Sequence, residues 1–271
     1  MVGYPVDQSL SPPMHNYWIA KHGIDAEYVA LSVPPEDFVE TISALPDQGF
    51  VGVNVTVPHK LAAYELCSAC DADARAAGAV NLLIFENGKM TGRNTDAMGF
   101  SAALEEALGP GAAQAGPVVI LGAGGAARAV IVGLMKSGAE EIRIVNRTRD
   151  RAVLLANSIE RAKVDVFDWG DWQNAFRDAG LLVNTTSAGM KGKEPLDILL
   201  DELPRAAGVA DIVYNPIETA LLREAKMRGQ RTMDGLGMLM HQAVPSFAAW
   251  FGITPKVTPE LRALLEEKLR V

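Results

Sequence analysis

The sequence predicts an α/β protein built on a mainly parallel sheet, and three observations carry that expectation. Short apolar runs alternate with helix-length stretches along most of the 271 residues. A Gly-rich turn, Gly122-Ala123-Gly124-Gly125-Ala126-Ala127, follows a four-residue apolar run and opens a helical stretch. The composition, 49% hydrophobic and 21% charged, is that of a globular chain with a sizeable core. Domains run to roughly 100–200 residues, so the length suits one large or two modest domains.

The elements follow in order. Pro12 to Gly23 reads as a helix opened by a Ser11 cap with proline at the first helical position. Glu27 to Val33 reads as a strand and Pro35 to Leu45 as a helix. Gly52-Val53-Asn54-Val55-Thr56-Val57 alternates strictly, with the valines on one face and Gly52, Asn54 and Thr56 on the other. Pro58 ends that strand, and a helix-like stretch carries on towards Ala77. Val80 to Phe85 and Lys89 to Thr91 flank Glu86-Asn87-Gly88, a hairpin signal because Asn-Gly suits a tight turn with positive φ. A helix from Asp96 to about Leu108 ends at Gly109-Pro110-Gly111. Val118 to Leu121 is a buried strand, followed by the Gly-rich turn, a helix to Ser137 and a strand from Ile142 to Val145. The alternation continues through Leu181 to Val183 and Val209 to Val213, then helices from Gly235 to Phe251 and Leu261 to Arg270.

The net charge of −8 argues against a nucleic acid partner, which calls for a basic surface. No apolar run reaches the roughly 18 residues of a membrane span. Met1 to Pro5 lacks the basic and apolar blocks of a secretory signal. Cys67 and Cys70 are the only cysteines, and no second pair exists to complete the four ligands of a zinc site. They read as reduced structural residues, pointing to the cytoplasm. No metal constellation is expected; His15 and His241 read as core or surface residues, and His59 as structural.

Strand, Gly-rich turn and helix together are the context of a dinucleotide fingerprint. Gly122 permits the tight turn, Gly124 lets backbone approach a pyrophosphate, and Ala127 takes the third small position, where helix and strand pack closely. Ala123, Gly125 and Ala126 complete the cradle at a helix N-terminus, whose unpaired N–H groups face an anion. The next strand ends in Asn146-Arg147-Thr148, with Arg151 one turn on, where an NAD enzyme would carry a carboxylate for the ribose hydroxyl. Arg147 offers a planar fork, Arg151 further charge and Thr148 a hydroxyl, so NADP is the expected cofactor.

Polar clusters stand where strands end: Ser9 and Ser11, Asn54 to Lys60, Asn81, and Asn94-Thr95-Asp96. One lysine amid hydroxyls and amides suits a polyol bearing a carboxylate. Lys60 also reads as a helix-surface lysine and Asp96 as an N-cap.

Taken together these segments resemble the shikimate dehydrogenase family. The resemblance runs through Ser9-Leu10-Ser11-Pro12, Asn54-Val55-Thr56-Val57-Pro58-His59-Lys60, Gly78-Ala79-Val80-Asn81 and Gly92-Arg93-Asn94-Thr95-Asp96. It continues in the Gly-rich turn, Asn146-Arg147-Thr148, Asn184-Thr185-Thr186-Ser187-Ala188-Gly189-Met190, Asp211 to Pro216 and Gly235 to Gln242. It implies two α/β domains: a substrate-binding sheet over 1–97, completed by helices in 238–271, and a Rossmann-like doubly wound NADP-binding domain over 98–237. It implies reversible NADPH-dependent reduction of 3-dehydroshikimate to shikimate, a step towards chorismate and the aromatic amino acids, by a monomer or homodimer. Substrate contacts are implied at Ser9, Ser11, Asn54, Thr56, Lys60, Asn81, Asp96, Tyr214 and Gln242, with Lys60 and Asp96 the catalytic pair. Thr185, Ser187, Gly235 and Met238 are implied to shape the cofactor cleft. Three features depart from the pattern. Gln8 stands where many members have histidine, Leu82 where threonine commonly follows the asparagine, and most of the family's first strand is expected to be missing.

On this resemblance Lys60 donates the proton during ketone reduction and must be neutral to accept it during oxidation, so the oxidation rate should climb with pH. A quinate/shikimate dehydrogenase or a shikimate-like paralogue shares the motifs. A non-catalytic NADP-binding regulator is the alternative from another class.

Overall fold

The structure, a computed structural model, describes residues 1–6, 8–159 and 162–270. The chain divides into two compact units, Met1–Thr95 with Gln242–Val271, and Asp96–His241.

In the first unit, β1 (Val2–Gly3) pairs in parallel with β2 (Leu31–Ser32), and Val2 bridges Val55. The first strand is thus two residues long, and the expected strand 27–33 shrinks to its end. Helix α1 (Ser11–His22) starts without a side-chain cap. Ser11 lies inside the helix, and its N–H donates to Ser9 Oγ at 3.2 Å, so Ser9 rather than Ser11 supplies the local acceptor. A 3-10 turn, Pro35–Asp37, leads into α2 (Phe38–Ala44), then β3 (Gly52–Asn54) and α3 (Lys60–Leu66).

The helix-like stretch through the cysteines is not continuous: α3 stops, β4 (Ala69–Cys70) intervenes, and α4 (Ala72–Ala77) follows. The backbone is drawn into a ladder instead, with Ser68 N–H donating to Met90 O at 2.9 Å and Asp71 N–H to Gly92 O at 3.0 Å. Both cysteines are free, and burial pushes the Cys67 thiol up to about 12, which favours its protonated form. The hairpin β5 (Leu82–Glu86) and β6 (Lys89–Arg93) turns at Asn87 and Gly88, both with positive φ. The four-stranded order is β3-β5-β6-β4. Val53, Val55, Phe38, Ile42 and Leu83 fill one core beneath it.

In the second unit, α5 (Asp96–Leu108) precedes β7 (Val118–Leu121), α6 (Gly125–Lys136), β8 (Glu141–Asn146), α7 (Arg149–Asn157), β9 (Lys163–Asp168) and α8 (Trp172–Phe176). Then come β10 (Leu181–Asn184), β11 (Gly208–Asp211), α9 (Ala220–Met227), β12 (Thr232–Met233) and α10 (Gly235–Phe251), within which the division between units falls. The last helix, α11 (Pro259–Leu269), returns to the first unit, capped by Thr258, whose hydroxyl accepts from Leu261 N–H.

The six strands run in parallel in the order β12-β11-β10-β7-β8-β9, the doubly wound order with its reversal between β7 and β10. Side-chain alternation splits the strands between two cores. Val118, Ile120, Ile142, Ile144, Leu181 and Val183 pack with α5 and α6, while Val119, Leu121, Val145, Leu182 and Val209 pack with α8 and α9. Fully burying each such side chain contributes about 2 kcal/mol. Among the described residues no helix is long and apolar enough to cross a membrane.

Candidate active site

In the first unit Asn54 is buried at the end of β3, and its amide is committed within the protein. Nδ2 donates to Asn81 O at 3.1 Å and to Ser246 Oγ at 2.8 Å, while Oδ1 accepts from the Tyr28 hydroxyl at 2.8 Å. An amide has two donors, so Asn54 retains acceptor capacity alone for a ligand. Tyr28 is stacked on His15 at 4.1 Å between ring centroids. Burial pushes the Tyr28 phenol well above its ordinary range and lowers His15 to about 3, so phenol and imidazole are both neutral. His15 is a core residue.

Asn81, also buried, donates to Thr95 Oγ1 at 3.0 Å and accepts from Thr95 N–H at 2.9 Å. Thr95 Oγ1 lies 3.4 Å from Gln242 Oε1. Asn54, Asn81, Thr95 and Gln242 are therefore joined, with Tyr28 and Ser246 as members the sequence did not signal. Thr56 and Lys60 are half-buried, one just past β3 and the other opening α3. His59 between them is buried, its Nε2 is 2.7 Å from Val33 O, and its ring stacks on Phe38 at 4.4 Å, a structural position. Ser9 Oγ donates to Met1 Sδ at 2.8 Å.

The other candidates lie in the second unit. Asp96 opens α5 immediately after Thr95. Gly122 has φ 106°, and a Cβ there would stand 2.9 Å from Thr185 Oγ1 and 3.0 Å from Thr186 Cγ2. Gly124 caps α6, and a Cβ on Gly124 or Gly125 would meet nothing within 4 Å, so the space over this helix start is open. Ala123 and Ala126 complete the turn, and Ala127 is fully buried against the sheet. Thr185 N–H donates to Leu121 O at 3.0 Å and its hydroxyl to the same oxygen at 2.7 Å, joining the ends of β7 and β10 at the strand-order reversal. Ser187 is exposed on the following turn.

Behind that turn lies a buried acid. Asp211 Oδ1 accepts from Asn184 Nδ2 at 2.9 Å and Val213 N–H at 3.0 Å, and Oδ2 from Thr219 Oγ1 at 2.8 Å. Burial outweighs these bonds and raises Asp211 from 3.8 to about 6. Asn184 Oδ1 in turn accepts from Thr186 N–H and hydroxyl, at 3.0 and 2.8 Å. Tyr214 is raised by burial. Gly235 opens α10 with no room for a side chain, since a Cβ would fall 2.2 Å from Ile212 O. Met238, one turn on, is half-buried at the edge of the core.

At the end of β8, Asn146 Nδ2 donates to Thr148 O at 2.7 Å. Arg147 is exposed, and its guanidinium carbon lies 5.1 Å from the centre of the Trp169 ring. Asp168, the neighbouring carboxylate, pairs with Arg149 at 3.3 Å. Arg151 is exposed on α7. Among the described residues no three His, Cys, Asp or Glu side chains gather as a metal site.

A doubly wound parallel sheet with a Gly-rich turn at its reversal point defines the class of dinucleotide-binding α/β proteins. The family model of the shikimate dehydrogenase substrate binding domain matches residues 1–83, and that of shikimate / quinate 5-dehydrogenase matches residues 106–199. A shikimate dehydrogenase (NADP(+)) from Methylobacterium radiotolerans is 50% identical over 265 residues, covering 97% of this chain and 94% of the relative. One from Methylocella silvestris is 50% identical over 266 residues, covering 98% and 94%. Among solved structures, the Thermus thermophilus shikimate 5-dehydrogenase in complex with NADP(H) and shikimate is 34% identical with a TM-score of 0.86, covering 99% of this chain and 97% of that one. The Corynebacterium glutamicum quinate dehydrogenase in complex with NAD is 30% identical with a TM-score of 0.89, covering 100% and 97%. This chain belongs to the shikimate dehydrogenase family.

Proposed function

We propose that the chain is an NADP-dependent oxidoreductase that reversibly reduces 3-dehydroshikimate to shikimate, in the pathway to the aromatic amino acids. The observation that carries this is 50% identity, over 97% of the chain, to a relative named for that activity. The first unit, with α11, serves the substrate and the second the dinucleotide. The net charge of −8 speaks against nucleic acid, and the two free cysteines suit a reducing cytoplasm. The protein works as a monomer or homodimer.

The residues present fit the cofactor. The open space over Gly124 and Gly125 leaves the α6 N-terminus accessible to a pyrophosphate, and Arg147 and Arg151, both exposed, would hold the 2′-phosphate. NADPH, when bound, supplies the hydride for the ketone carbon. Lys60 gives its ammonium proton to the alkoxide oxygen that forms, and in the reverse direction neutral Lys60 takes the proton from the alcohol. Asp96 offers a carboxylate acceptor to a substrate hydroxyl. Ser9, Ser11, Thr56, Asn81, Tyr214 and Gln242 orient the polyol, and Asn54 contributes an acceptor.

The 30% identity to a quinate dehydrogenase favours quinate as the second reading. The test is the initial rate at 340 nm with shikimate and quinate, each with NADP and NAD, for wild type and Lys60→Ala. Shikimate–NADP turnover is expected to lead and to fall about a thousandfold or more in Lys60→Ala, within the range general acid–base catalysis supplies. Quinate or NAD preference would move the specificity, and full turnover in Lys60→Ala would remove Lys60 as the proton donor. Tight NADP binding without turnover would leave a regulator.

A further inference from the structure

Arg147 directly follows the last residue of β8, and Trp169 directly follows the last residue of β9. The residues before them, Asn146 and Asp168, are ladder partners in adjacent parallel strands, so the fold sets the two side chains side by side. Trp169 packs with Phe167 and Trp172 against the core cluster built around Phe176 and Leu182, so its ring is anchored. The Arg147 guanidinium stands over that ring, 5.1 Å from its centre, where the negative ring face attracts a cation. An arginine carries five N–H donors, more than one ring face engages, so donors stay available to an anion at the rim. Asp168 is engaged by Arg149 at 3.3 Å, an ion pair that does not involve Arg147.

We propose that Trp169 is a positioning residue for cofactor choice: its ring holds the Arg147 guanidinium ready for the ribose 2′-phosphate. The proposal rests on the reading that Arg147 meets that phosphate. A long exposed arginine loses rotamer freedom when it grips a ligand, and a ring that orders it beforehand lowers that loss. The gain falls only on ligands carrying the 2′-phosphate, so the effect is selectivity rather than general affinity.

The test uses adenosine 2′,5′-bisphosphate and adenosine 5′-monophosphate as probes, titrated calorimetrically into the full chain. Trp169→Leu keeps an apolar side chain against the core cluster around Phe176 and removes the π face. It is expected to weaken the bisphosphate roughly two- to fivefold, the range of an exposed cation–π contact, and to leave the monophosphate unchanged. Trp169→Phe, which restores a ring, is expected to recover part of the loss. In an Arg147→Ala background, Trp169→Leu is expected to change neither probe. Should Trp169→Leu fail to fold, Trp169→Met, a flexible apolar filler, repeats the test. Equal weakening of both probes, the same loss with and without Arg147, or no loss would overturn the proposal. A wild-type protein that binds the two probes equally would instead overturn the NADP reading beneath it.

Discussion

Replacing Asp211 with asparagine should remove a pH dependence from the stability of this protein. The carboxyl is fully buried and raised from 3.8 to about 6, so the native state holds its proton more tightly than the unfolded chain does. For a group raised in this way, the stabilisation is fully present below the unfolded value and is lost as pH rises through the folded value. The unfolded state ionises first, near 3.8, and the native state follows near 6. The difference is roughly a hundredfold in proton affinity, or about 3 kcal/mol in all. Roughly half of that is already gone by pH 5, leaving about 1.4 kcal/mol to be lost between pH 5 and 7.5. Asparagine can keep an acceptor for Asn184 and Val213 and cannot ionise. Its donor can face Thr219, whose hydroxyl can turn to accept. The assay is urea unfolding of both proteins at several pH values across that interval. Relative to Asp211→Asn, the wild type should lose about 1.4 kcal/mol from pH 5 to pH 7.5, while the other titrating groups cancel in the comparison. Parallel stability curves would mean that the three hydrogen bonds to Asp211 fully offset its desolvation.

Gly235→Ala should destabilise the second unit by about 3 kcal/mol or more, since the added methyl would fall 2.2 Å from Ile212 O and only backbone movement can relieve it. A thermal midpoint within a degree of wild type would show that α10 shifts freely. Tyr28→Phe removes the hydroxyl donated to Asn54 Oδ1 and leaves a buried acceptor short of a partner, at a cost of about 1–3 kcal/mol. Denaturant unfolding should register that loss with dinucleotide affinity unchanged, and no loss would mean that Asn54 finds another donor.

The elements legible in the sequence were those with a local cause. The strand Val118–Leu121, the helix Asp96–Leu108, the helix Gly235–Phe251 and the Asn87-Gly88 turn match the structure because apolar period, breakers and positive-φ residues act over a few positions. The break between Leu66 and Ala72 was not legible, because helical composition there yields to pairing with β6, a partner some twenty residues on. Ser11 read as a cap because serine before proline is a good local signal, yet the acceptor in place is Ser9 Oγ.

The same division runs through the candidate site. By itself the sequence determined the dinucleotide turn, the absence of a carboxylate after Val145-Asn146, and the positions of Lys60 and Asp96 in their motifs, because each is a matter of residue type at fixed spacing. The tertiary structure alone decided that Asn54 has its donors committed, that Tyr28 and Ser246 hold it, that Asp211 stands behind the Thr185 turn, and that Trp169 lies beneath Arg147. The reason is physical. A hydrogen bond between residues 54 and 246, or a ring and a guanidinium on neighbouring parallel strands, depends on sheet order and register, and these are set by burial summed over the whole core rather than by any one segment.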